Sequence, residues 1–225
     1  MRVSTRKHLI WKFLLLLILV FTFCILSIRY FDQPIAYFIS RMSIEKYKSS
    51  APIYSLGILL TNLSYLCIVL TMGIYVMLRF LRVKSLWVNF MGILSLSVTI
   101  TFFIKNLLEL LFGRIAPCYQ HYHASTINPA LKNFWYGFNF SFLNAAGSFP
   151  SGHMIIFTCL LLLFRLRYPK TKLICYLLLI ILAALLLFNN YHFLSDLMMG
   201  AYLGATIARV ISRMMADDGV YNAHK

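Results

Sequence analysis

The chain has 225 residues, of which 61% are hydrophobic and only 12% charged. A soluble domain of this size cannot cover so much apolar surface, so the composition excludes an ordinary globular protein and points to a bilayer. The formal net charge of +15 would suggest nucleic acid, but the basic residues bracket apolar runs, which makes the bilayer, not nucleic acid, the expected partner.

A helix that spans a bilayer needs about 20 mostly apolar residues. Six runs are candidates, at roughly 9–28, 52–78, 86–112, 152–167, 172–190 and 193–212. The first follows Arg2, Arg6 and Lys7 and could be read as a signal peptide. Its apolar core is longer than such a peptide's and no small-x-small site follows, so it is expected to remain as an anchor. Residues 29–51 mix charges with Phe31, Ile35, Tyr37 and Phe38, and are expected to form a short helix at the interface. Residues 113–150 form a longer loop carrying Tyr119, Tyr122, Phe134, Trp135, Tyr136, Phe138, Phe140 and Phe142. Those aromatics suit an interfacial belt or a flap over a lipid headgroup. Asn139-Phe140-Ser141 also matches a glycosylation acceptor, a tripeptide that arises often by chance. With no repeat, linker or low-complexity tract, the expectation is a single transmembrane domain over 1–225, all-α, an integral membrane six-helix bundle.

Six crossings place Arg2, Arg6, Lys7 and Lys12, then Arg79, Arg82 and Lys84, then Arg165, Arg167, Lys170 and Lys172, then Arg209, Arg213 and Lys225 on one side. That side is cytoplasmic by the positive-inside rule, although Arg29, Arg41, Lys46, Lys48 and Lys132 fall on the other. Cys24, Cys67, Cys159 and Cys175 lie within spans as packing residues, Cys118 stands alone in the loop, and no metal-ligand spacing appears.

Ionisable residues within spans are costly and mark functional candidates. Of six acidic residues, Asp32 and Glu45 fall in an outer segment and Asp217 and Asp218 in the tail, which leaves Glu109 and Asp196. Two histidines stand out by context. Pro150-Ser151-Gly152-His153 opens the fourth span, with Ser151 as a natural N-cap. The N–H groups and dipole of that helix start suit a phosphate, and Gly152 lets an anion approach the backbone. A plain helix cap with an interfacial histidine is the bland alternative. His192 and Asp196 are four apart and share a helix face, where the carboxylate can orient the imidazole. A buried polar pair that only stabilises packing is the alternative there. Six crossings bring both histidines to one surface, with Lys105 and Arg114 approaching it from the third span. Such a set suits phosphoryl transfer, in which positioning and charge stabilisation dominate.

These residues resemble the type 2 phosphatidic acid phosphatase family, which shares its site with vanadium haloperoxidases. The resemblance covers roughly 55–212. Its second motif, Pro-Ser-Gly-His, is complete, and its third keeps His192 and Asp196 in Tyr-His-Phe-Leu-Ser-Asp. The family's third-motif Arg falls on Leu186. Aligned on Pro117, its first-motif Arg falls on Ala116 and its Lys on Glu109. Lys105 and Arg114 are the nearby cations, but nine residues on an unbroken helix turn about 900°, so the two act together only if the helix stops near Gly113. Asn189, Asn190 or a loop residue are the other candidates to compensate.

The resemblance implies a metal-independent phosphatase of a phosphorylated membrane lipid, with no cofactor. His192 would be the nucleophile, Asp196 its orienter and His153 the acid and base, while Lys105, Arg114, Ser151 and Gly152 would hold the phosphate. A lipid-to-lipid phosphotransferase and a non-catalytic lipid-binding protein are the alternatives. In a bacterial inner membrane, the expected location, the site would face the periplasm; in a eukaryotic membrane it would face the lumen or exterior.

Overall fold

The computed structural model describes residues 2–47, 51–118, 137–138, 140 and 147–214. Among the described residues, seven α-helices run in order: α1 Arg2–Tyr30, α2 Asp32–Tyr47, α3 Ala51–Phe80, α4 Leu86–Phe112, α5 Gly152–Arg167, α6 Lys172–Phe188 and α7 Leu194–Met214. A 3-10 turn, Pro169–Thr171, joins α5 to α6. Among the described residues there is no strand, and Ile115 and Gly147 form an isolated antiparallel bridge. Most of the loop aromatics and the Asn139-Phe140-Ser141 tripeptide lie outside the described residues.

The helix ends follow from local chemistry. Ser85 caps α4 by accepting the Val88 N–H at 3.3 Å. Gly113, at φ 56°, closes α4 in the left-handed conformation and donates its N–H to Glu109 O. Ser151 caps α5, and Pro169 follows its end at Arg167.

Among the described residues, α3, α4, α6 with the turn before it, and α7 are each long and apolar enough to cross a membrane. On α3 only 6% of the most apolar stretch is buried within the protein, a surface that water would not tolerate and lipid would. The chain is a multi-pass membrane protein. Two of the six expected spans differ. The first is part of a pair, α1 with α2, bent by 53° at a break beside Asp32, and it passes as a crossing only together with α2. The fourth, α5, has 16 residues and rises about 24 Å, less than the roughly 30 Å hydrocarbon core. As the inner helix of the bundle, packed by α4, α6 and α7, α5 need not face lipid along its length.

The tightest pairing is α5 on α7. A Cβ at Gly200 would lie 2.6 Å from Ser151 O, and one at Gly204 would collide with Ile155 O. Small residues four apart thus let the backbones touch. Phe90, Ile93 and Leu94 of α4 pack with Cys159 and Leu163 of α5 and Ala208 and Ile211 of α7 toward the opposite end from the histidines. This arrangement brings the starts of α5 and α7 to the end of α4.

Candidate active site

A cavity of about 330 Å³ opens between α3, α4, the start of α5 and the turn before α7. His153, His192, Lys105 and Gly152 all line it. The two imidazoles stand with ring centroids 5.8 Å apart. Lys105 reaches this point because Gly152 has no side chain: a Cβ there would lie 2.5 Å from Lys105 Cε. The space left by Gly152, expected to admit an anion to the backbone, therefore carries the lysine stem. Lys105 Nζ lies 2.9 Å from Glu109 Oε2, and donates to Asn106 Oδ1 at 3.2 Å.

His192 is oriented chiefly by a backbone group. Its Nδ1 lies 3.0 Å from the Ser148 carbonyl, which can only accept, so Nδ1 carries the hydrogen. The lone pair is then on Nε2. Asp196 Oδ2 is farther from Nδ1, at 3.7 Å. His192 lies in the turn before α7, which begins at Leu194, so the helix face it was expected to share with Asp196 is not formed, and the two approach only as the longer of these two contacts. On the other histidine, His153 Nε2 lies 3.3 Å from Thr61 Oγ1 of α3.

Three expected site residues lie away from the cavity lining. Arg114 is fully buried. Its Nη1 donates to Asp196 Oδ1 at 2.5 Å and to Ser195 Oγ at 2.6 Å, and its Nη2 donates to Asp32 Oδ2 at 2.7 Å. The guanidinium carbon sits 4.1 Å from the Phe193 ring centroid and 5.3 Å from that of Phe138. Since α4 stops at Phe112, Arg114 leaves the helical register and turns away from Lys105; this corrects its expected place at the phosphate. Ser151 is also fully buried, where its hydroxyl accepts the Met154 N–H in the cap, so it too is removed from the phosphate set. Asp196 is fully buried, holding Arg114 and the Phe193 N–H.

Asp32 was missed. Its carboxylate accepts from Arg114, from the Ser195 hydroxyl and N–H, and from Ser27 Oγ. It stands at the α1–α2 break, and α2 is tied down again where Asn190 donates to Ala36 O at 3.0 Å. The available signal was its setting, one of few acids in the chain, placed between Phe31 and Ile35. Leu186, at the position of the family's third-motif Arg, is fully buried against Met154, Leu182 and Leu197. Ala116 and Glu109 line the cavity where first-motif cations would stand.

No match was found among curated proteins or among solved structures. Residues 90–219 match the PAP2 superfamily. That stretch runs from α4 past the end of α7, holds both histidines and both flanking helix starts, and covers more than half of the 225 residues. By that extent of match, the chain belongs to the PAP2 superfamily.

Proposed function

We propose that the chain is a membrane lipid phosphate phosphatase working through a phosphohistidine at His192. Membership of the superfamily supports phosphatase-type activity on lipid phosphates in general. The observation that carries the finer reading is the shared cavity: two imidazoles 5.8 Å apart, with Lys105 drawn across the first residue of α5. His192 Nε2 has its lone pair free because Nδ1–H is held by Ser148 O. It attacks phosphorus, and the phosphorus–oxygen bond to the lipid breaks. His153 gives a proton to the departing oxygen, then takes one from the water that cleaves the phosphorus–nitrogen bond. Lys105 and the N-terminal N–H groups of α5 hold the phosphate oxygens. Asp196 Oδ2, 3.7 Å from the same Nδ1, adds a longer-range support to His192.

The basic residues at the far ends of α3 and α5 favour a cytoplasmic placement of that end. The cavity then faces outward, toward the periplasm in a bacterial inner membrane. Substrates are phosphomonoesters or diphosphates of membrane lipids, of the phosphatidic acid, phosphatidylglycerophosphate, isoprenyl diphosphate or lipid A type.

The test is phosphate release from a panel of these lipids by purified protein in detergent, without added metal. His192→Ala and His153→Ala should each abolish it, and full activity in either variant would sink the mechanism. A second reading, a non-catalytic lipid-binding protein, is favoured by Leu186, Ala116 and the pairing of Lys105 with Glu109, which leave the cavity poor in unpaired cations. Trapping labelled phosphohistidine on the native chain, and its loss in His192→Ala, would rule that reading out.

A further inference from the structure

We propose that Thr61 of α3 is a positioning residue for His153, holding the ring nitrogen that passes the proton to the departing lipid oxygen. The inference rests on the phosphatase reading above. Thr61 Oγ1 lies 3.3 Å from His153 Nε2 and lines the cavity. The other ring nitrogen, Nδ1, is buried with no hydrogen-bond partner among the described residues. Nε2 is therefore the ring nitrogen that faces the cavity, and when it carries a hydrogen Thr61 Oγ1 is placed to accept it. Nδ1 is sealed from the cavity, so proton traffic in both halves of the reaction passes through Nε2.

The geometry of α3 supports a directed contact. Ser64 and Thr71 turn their hydroxyls back to the carbonyls of Leu60 and Cys67, one turn earlier, as helical Ser and Thr commonly do. Thr61 Oγ1 reaches across to the ring. α3 also precedes the PAP2 match, which begins at residue 90, so this contact is added from outside the matched core.

The step balances. His192 Nε2 donates its lone pair to phosphorus, the ester bond breaks, and the leaving oxygen takes the Nε2 proton of the His153 imidazolium, which leaves that ring neutral with its hydrogen on Nδ1. Water then gives that proton back to His153 Nε2 as its oxygen bonds phosphorus and the phosphorus–nitrogen bond breaks. Thr61 gains and loses nothing. It aims Nε2–H in the resting site and yields it to the lipid oxygen.

The test uses the full chain in detergent with Thr61→Val and Thr61→Ser, and two substrates. Phosphatidic acid releases a diacylglycerol alkoxide that needs a proton; 4-nitrophenyl phosphate releases a stable phenolate that does not. Thr61→Val should lower kcat on phosphatidic acid about tenfold and change kcat on the aryl ester less than about twofold, with Thr61→Ser restoring most of the loss. Equal loss on both substrates, or loss on neither, would overturn the inference and leave the phosphatase reading standing. If the native chain turns over neither substrate nor the wider lipid panel, both fall. A second measurement is independent of substrate choice: the 15N shift of His153 Nε2 should move in Thr61→Val and return in Thr61→Ser, and an Nε2 shift unchanged in Thr61→Val would overturn the inference.

Discussion

Lys105 and Arg114 are nine residues apart on one stretch of chain and have opposite surroundings. Lys105 lies on α4, partly exposed in a cavity, paired with one carboxylate on its own helix. Arg114 lies just past the α4 cap, fully buried between two carboxylates brought by other segments. A cation that can meet a ligand and a cation that holds helices together differ here by where the helix stops. Gly113 makes that difference: by ending α4 in the left-handed conformation it sends the chain off the helical register before Arg114. Charge type alone does not say which cation belongs to a site.

The comparison can be broken by exchanging the two fates. Arg114→Met should cost the most, about 3–5 kcal/mol of stability, because Asp32 and Asp196 would be left buried without their partner. The thermal midpoint in detergent would report it; a variant melting like the native chain would show that the network is not structural. Lys105→Met should do the reverse, leaving that midpoint near its native value while lowering kcat roughly hundredfold, as loss of one phosphate-oxygen donor does. Phosphate release and melting on one preparation would separate the two. Asp32→Asn should destabilise by about 2 kcal/mol, since the amide offers a donor where the Ser195 N–H needs an acceptor. Melting is again the measure. The smallest effect is expected for Glu109→Gln, which frees Lys105 from its partner and should raise kcat/KM for an anionic lipid roughly threefold. A fall instead would show that Glu109 positions Lys105 rather than restraining it.

What could be read in advance was local. The stop of α4 and the start of α5 follow from Gly113 and Ser151, and the four later helices keep their expected bounds to within about two residues. The histidines were legible because each sits at a helix start with a recognisable neighbour. Leu186 and Ala116 were legible as departures from a pattern. The Asp32–Arg114 pair was not, since it joins positions 82 apart and no periodicity connects them. The break between α1 and α2 falls where a separate short helix was expected to follow the first span, but what holds it was hidden: Asp32 looked like one more charge in an outer segment. The Ser148 carbonyl could not be seen because a backbone group has no side chain to mark it. Thr61 is one of several hydroxyls in an apolar run, distinguished only by what lies across from it.

The Asp32 network also bears on how the protein is made. Asp32 leaves the ribosome 82 residues before Arg114 and 163 before Ser195, which supplies a hydroxyl and an N–H to the same carboxylate. During synthesis the first helix pair carries an acid that has Ser27 beside it but neither Arg114 nor Ser195. Its final seat is available only after α7 has been made. The Asp32 network at the bend is therefore completed last, although its acid is synthesised first.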